Sequence, residues 1–299
     1  MSSAAALPDF DSLWDYSKPA ETETQFRALL PAAEQSGDSV YLAELQTQIA
    51  RTLSLQQKFA EAHALLDEVE AKTARALDSA SWERVHVRCL LERGRTFNSA
   101  KEKEKALPLF VEAWERARAA GLDGHAVDAA HMAAIAAPAP EVMTWNQKAL
   151  ALAEHSADPK ARRWRASLYN NIGWDYFGRG DYDSALVVFE KAVDARVEQK
   201  QPVETRFARW CVAKTRRLLG QADTAFALQQ QLERETVAAG DDPDGFIDEE
   251  LGECLLALGR EDEARPHFAR AYELLHNDPW LSRDEPERLR RMKTLGRVP

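Results

Sequence analysis

NNIGWDYFGRGDYDSALVVFEKAV, residues 170–193, sets Gly173, Tyr176, Gly180, Tyr182, Ala185, Phe189 and Ala192 at steps of two, three or four residues. Such steps place small and aromatic side chains along one face of a helix, interrupted around Gly180-Asp181. Two antiparallel helices nest only where one side chain is nearly absent, and an aromatic ring a turn away then fills the flank. Most of this stretch is therefore explained by packing between two consecutive helices.

The same spacing recurs along the chain. A small residue stands twelve before an alanine in Ala50/Ala62, Gly94/Ala106, Gly173/Ala185, Ala213/Ala225 and Gly252/Ala264. Around that alanine, Phe59, Tyr182 and Ala222 stand three before it, and Gly180, Gly220 and Gly259 five before it. Phe110, Phe189 and Phe268 stand four after it. A sixth unit departs from the pattern: His131-Met132-Ala133-Ala134 takes the first-helix place, APAPEV (137–142) replaces the usual turn, and Trp145 and Ala149 supply the second helix. Two prolines end the first helix there and compress the turn. The first-helix small residues recur on average every 40 or so residues, about six more than the 34 of the standard repeat, so each helix is longer by up to a turn.

These landmarks resemble the tetratricopeptide repeat (TPR), a helix–turn–helix unit with a small residue where helix A meets helix B and an alanine in helix B. The resemblance covers residues 39–277. It implies an all-α, right-handed TPR-like α-solenoid of about six helix–turn–helix repeats with terminal capping helices. The expected organisation is an N-terminal half-repeat and cap over residues 1–38, repeats over 39–277, and a polar capping helix with its tail over 278–299. The longer period and the Asn-Asn-Ile-Gly of helix A are similar to kinesin light chain and to bacterial peptide-responsive regulators; the general pattern also occurs in many uncharacterised bacterial TPR proteins.

Composition narrows the function classes. A net charge of −10 over 299 residues gives no general basic field for nucleic acid or anionic lipid. The first residues, MSSAAALPDFDSLWDYS, lack a basic start with an apolar core, and no stretch is apolar enough for a membrane span, so a cytoplasmic location is expected. Cys89, Cys211 and Cys254 are odd in number, far apart and set within helical patterns, which implies reduced, packed thiols.

In TPR arrays the inner face of helix A is free of the nesting constraint and lines a groove. Here the positions two before and one after each small residue carry Gln48, Glu92, His131, Asn171, Cys211 and Glu250, and Arg51, Arg95, Ala134, Trp174, Lys214 and Glu253; Asn170, Trp210 and Arg217 adjoin them. Arg51, Arg95 and Lys214 make that face more basic than the chain as a whole, while Glu250 and Glu253 reverse the sign at the last repeat. This arrangement favours a peptide or protein partner with an acidic segment over the early repeats; ordinary solvated helix faces account equally for the charges. Side-chain amides at Asn170 and Asn171 offer a donor and an acceptor to any peptide backbone, or join neighbouring A helices. Trp174 and Trp210 supply apolar contact or act as wedges between repeats.

The expected function is a non-enzymatic scaffold or adaptor that binds a protein or peptide in its concave groove. The alternatives are a peptide- or small-molecule-responsive regulator, and an enzyme with a pocket around His131, Asn171 and Glu250. No G-x-S-x-G, H-E-x-x-H, P-loop or dinucleotide fingerprint occurs. GDDPDGFIDEEL (240–251) places Asp242, Asp244, Gly245, Ile247 and Asp248 at five positions an EF-hand loop uses, but Gly240 and Leu251 stand where its first ligand and its bidentate glutamate belong. His131, Cys211, Glu250 and Glu253 come from three repeats and lack the short pairs of a zinc site. No metal or other cofactor is expected.

Overall fold

The computed structural model describes residues 7–74 and 80–299, so residues 1–6 of the N-terminal cap lie outside it. Among the described residues the regular structure is entirely helical. The contacts divide the chain after Arg165 into two compact units.

The first unit begins with a short 3-10 turn (Phe10–Leu13) and continues through α1 (Pro19–Ser36), α2 (Ser39–Leu55), α3 (Phe59–Thr73), α4 (Ala80–Ser99), α5 (Lys103–Ala119), α6 (Asp123–Ala136), α7 (Ala139–His155) and the four-residue α8 (Pro159–Arg162). Its core joins Phe10, Phe26, Leu45, Ile49, Leu53, Leu66, Val85 and Cys89. The second unit begins one residue into α9 (Arg165–Gly178) and continues through α10 (Tyr182–Glu198), α11 (Pro202–Leu218), α12 (Ala222–Ala239), α13 (Gly245–Ala257), α14 (Glu261–Leu275), α15 (Pro279–Asp284) and α16 (Pro286–Gly296). In both units consecutive long helices pack as hairpins in a repeated, TPR-like manner.

One turn closes five of these hairpins, and it explains the twelve-residue spacing. In each, three residues join the helices, and the middle one, seven after the small residue, has positive φ: Gln57, Lys101, Gly180, Gly220 and Gly259, at 62°, 67°, 76°, 78° and 73°. The N–H of the next residue donates to the carbonyl five residues back, as in Lys58 to Leu53 and Glu102 to Phe97 (both 2.9 Å), Asp181 to Tyr176 (3.0 Å), and Gln221 to Arg216 and Arg260 to Leu255 (both 2.9 Å). This is the Schellman closure, which satisfies carbonyls the ending helix leaves open. Glycine takes the left-handed conformation without strain, whereas Gln57 and Lys101 do not. Lys101→Gly is therefore expected to stabilise the chain by about 0.5–1 kcal/mol in urea unfolding; an unchanged or lower midpoint would contradict the strain at this turn.

Nesting follows the same register. A Cβ placed on Gly94 would lie 2.5 Å from the Phe110 ring, on Gly173 2.5 Å from Phe189, and on Gly252 2.9 Å from Phe268. The three phenylalanines are fully buried, sixteen residues after their glycines. Where the small residue is alanine, the position sixteen residues on holds a slimmer buried side chain: Leu66 for Ala50 and Gln229 for Ala213. The α6/α7 hairpin has a two-residue link, Ala137-Pro138, both extended, so the proline pair shortens the turn. Its interface is built on the fully buried alanines 126, 129, 130, 133, 149 and 153.

Consecutive hairpins are also tied by ion pairs about one repeat apart: Arg84–Glu44 and Arg95–Asp128 in the first unit, Arg206–Asp241, Arg217–Glu250 (2.9 Å) and Arg291–Glu253 in the second. His125, half-buried at the start of α6, titrates at about 4 because burial and then the Arg88, Lys160 and Arg84 charges outweigh Asp128. Its folded pKa lies below the unfolded value of 6.5, so only the unfolded chain takes up that proton between pH 6.5 and 4, and stability falls with pH across this window. After allowance for solvent at this partly exposed site, His125→Gln is expected to remove about 1–2 kcal/mol of that loss. Parallel unfolding curves for the two proteins between pH 7 and 4.5 would refute it.

The C-terminal segment differs from the single polar helix its sequence implies. Pro286 starts a new helix, and Glu285 before it leaves the α region (φ −133°, ψ 48°), so two helices form. Leu281, Leu289 and Met292 are buried, and Gly296 approaches the α14 backbone so closely that a Cβ would meet Ala269 N at 2.5 Å.

Candidate functional site

In the first unit the groove candidates form a network closed on itself. Glu92, its side chain 5% exposed, holds Arg95 at 2.6 Å and lies 3.7 Å from Arg51, and Arg95 also binds Asp128. Burial opposes the Arg95 charge, but Asp128 and Glu92 outweigh it and hold its pKa above the usual arginine value. Gln48 is buried; its Oε1 accepts the Trp14 indole N–H at 3.1 Å, and Trp14 stacks on Tyr16 with ring centres 4.6 Å apart. Arg88 donates to Asp11 of the same N-terminal segment at 3.1 Å. His131 packs on Trp164, ring centres 4.9 Å apart, and burial lowers its pKa.

In the second unit the candidates divide. Glu250 is fully buried under Lys214 and Arg217, and Glu253 pairs with Arg291. Asn170 and Asn171 are half-buried on α9, with the Cys211 thiol 4.0 Å from Asn170 Oδ1. Trp174, Trp210 and Lys214 instead line a cavity of 1040 Å³ within this unit.

The walls of that cavity come from α9 (Trp174, Phe177), α11 (Val203, Arg206, Phe207, Trp210, Lys214), the loop into α13 (Asp241, Asp242, Asp244), α13 itself (Phe246, Ile247) and the C-terminal segment (Trp280, Glu285, Arg288). Trp210 anchors it. The indole N–H donates to Phe246 O at 3.1 Å, and the ring stacks on Phe207 (centres 5.9 Å apart, planes at 17°) and tilts against Trp174 at 6.2 Å. Lys214 lies over the Trp210 ring at 5.1 Å and Arg288 over Phe246 at 5.4 Å, within cation–π range. Phe207 and Trp280 remain 51% and 46% exposed. Single exposed apolar residues are ordinary, but an aromatic-lined concavity is the commoner form of a ligand site.

The expected groove positions, two per A helix with Asn170, Trp210 and Arg217 beside them, did not include Phe207 and Val203. The signal was present: Val203, Phe207, Trp210 and Lys214 follow one another at four, three and four residues, a continuous stripe along α11. Trp280 and Arg288 had no comparable signal.

The EF-hand-like stretch is not a loop over most of its length, since α13 starts at Gly245. Asp244 caps that helix by accepting the Phe246 N–H at 2.9 Å, and Asp248 is buried against Arg270 (2.6 Å) and His267 (3.1 Å). Among the described residues no three His, Cys, Asp or Glu side chains converge as metal ligands do. The three cysteines are buried and unpaired with one another; burial pushes the Cys89 and Cys254 thiols up to about 12, far from a reactive thiolate at neutral pH. Among the described residues no helix is long and apolar enough to cross a membrane.

Comparison with known proteins agrees with this architecture. The chain carries a tetratricopeptide repeat at residues 165–198, where the family model of that description matches. No curated protein matches it in sequence. Its fold is similar to that of BtubC (BKLC) from P. vanneervenii, with TM-score 0.59, 17% identity, and coverage of 79% of this chain and 95% of that one. It is also similar to a signal transduction ATPase with numerous domains (STAND) protein with a tetratricopeptide repeat sensor from Pyrococcus horikoshii, with TM-score 0.69 and 13% identity. That match covers 95% of this chain and 44% of the archaeal one. The apo form of RapI is a third, with TM-score 0.52, 12% identity, and coverage of 86% and 91%. At these identities the likeness is one of fold.

Proposed function

We propose that the chain is a TPR-type scaffold that binds a peptide segment of a protein partner in the aromatic cleft of its second unit. The observation that supports this reading is a 1040 Å³ cavity walled by Trp174, Phe177, Phe207, Trp210, Phe246 and Trp280, with the first four on consecutive A helices. Aromatic side chains dominate binding energy where they are pre-organised, and here ring contacts and the Trp210–Phe246 hydrogen bond fix them in advance. Asn170, one turn before Trp174 on α9, carries an amide of the kind that pairs with a peptide backbone. The cavity is also of the size that takes a compact ligand, which keeps a regulator answering to a short free peptide within the same reading.

The test is selection of displayed random twelve-residue peptides on the full chain, followed by titration of the enriched peptides. Val203→Asp with Phe207→Asp, both at exposed positions, is expected to leave folding intact and weaken those peptides more than about 10-fold, since each buried apolar side chain contributes about 1.5–3 kcal/mol. Absence of enrichment, or peptides that bind this variant unchanged, would overturn the proposal.

A further inference from the structure

We infer that the occupant of the aromatic cleft is a peptide segment in which a lysine or arginine adjoins an aromatic or aliphatic side chain. This rests on the reading of the cleft as a peptide site and adds the charge of what enters it.

The chain's own cations at the cleft are already neutralised. Arg206 pairs with Asp241, Lys214 with the buried Glu250, and Arg288 with Glu249 (2.6 Å) and Glu285 (2.9 Å). An acidic segment would have to compete with these internal carboxylates for each of them, at the cost of leaving a carboxylate beneath the site without its partner.

Two carboxylates have no such partner. Asp242 and Asp244 lie exposed on the loop into α13, and among the described residues neither takes part in a salt bridge. Asp244 accepts the Phe246 N–H at 2.9 Å, and burial raises its pKa despite the Phe246 and Ile247 N–H groups, so Asp242 is the more open of the two carboxylates. The faces of Trp210 and Phe246 are covered by Lys214 and Arg288, whereas among the described residues no ring or cation covers Trp280. The cleft therefore offers an open indole face and two unneutralised carboxylates within one cavity. A primary ammonium or guanidinium is the group suited to either feature, by cation–π attraction to the indole or a charge-assisted hydrogen bond to a carboxylate, while its apolar neighbour meets the aromatic wall.

The test uses two fluorescein-labelled peptides of one apolar frame, with two lysines in the first and two glutamates at the same places in the second. Fluorescence anisotropy with the full chain at low salt is expected to show the lysine peptide binding at least about 10-fold tighter, with the preference shrinking at high salt. Asp242→Asn with Asp244→Asn keeps the N-cap, since asparagine caps as well as aspartate, and is expected to weaken the lysine peptide roughly 5- to 30-fold. Asp223→Asn, elsewhere on the surface, is expected to change nothing. If the double variant melts lower, Asp242→Asn alone, which caps nothing, carries the comparison.

Equal or tighter binding of the glutamate peptide, lost in the Val203→Asp/Phe207→Asp variant, would overturn the charge inference while the cleft reading stands. Failure of both peptides together with a failed random selection would overturn the cleft reading itself, and the charge inference with it.

Discussion

Glu250→Gln is expected to cost about 3–5 kcal/mol, the range for breaking a buried ion pair by removing one partner. The Glu250 side chain is 1% exposed and serves both Lys214 and Arg217, so an uncharged amide leaves two largely buried cations facing a group that cannot neutralise them. Glu253→Gln is the matched comparison on the same helix. Its partner Arg291 is half exposed, and the loss should stay within about 1 kcal/mol. Urea unfolding of the full chain distinguishes them, and equal effects would show that burial adds nothing at Glu250. Burial raises the Glu250 pKa, but Lys214 and Arg217 outweigh it and hold the carboxyl below its ordinary 4.5. The wild-type contribution is thus complete above that pH and is lost as pH falls below it.

Gly173→Ala is expected to cost about 2–3 kcal/mol, although alanine is the better helix former, because its Cβ would lie 2.5 Å from the Phe189 ring. The chain contains its own remedy. Where Ala50 occupies the corresponding place, Leu66 rather than phenylalanine stands sixteen residues on, and both are buried in one core. Gly173→Ala with Phe189→Leu should therefore recover stability relative to the sum of the single variants by more than about 1 kcal/mol, as contacting residues do. Strict additivity in thermal or urea unfolding would mean that the two positions do not meet.

The hairpins were legible in the sequence because their constraints are local and periodic. Gly173, Gly180 and Phe189 each answer one geometric demand, close approach, left-handed turn and filled gap, at fixed offsets from one another. Gln57 and Lys101 meet the turn demand without being glycine, so residue type alone hid the full regularity of that position. The cleft was less legible. Trp174, Trp210 and Lys214 stood on the expected helix face, but Trp280 reaches it from α15, beyond the last repeat, which no repeat spacing encodes. Charges misled most where partners are distant in sequence. Arg95 and Lys214 read as open cations, yet Asp128 and Glu250, 33 and 36 residues away, neutralise them.

The ion pairs that join one hairpin to the next give each unit an uneven elasticity. Inside a hairpin most of the attraction is apolar burial, with a few ion pairs such as Arg116–Glu83 beside it, whereas several links between hairpins, such as Arg206–Asp241 and Arg291–Glu253, are partly solvated and weaken as the Debye length contracts from about 10 Å at 0.1 M salt to about 3 Å at 1 M. Each unit is thus a row of firm beads on joints whose stiffness the surrounding electrolyte sets, with rising salt loosening the cooperativity of the row before it loosens any bead.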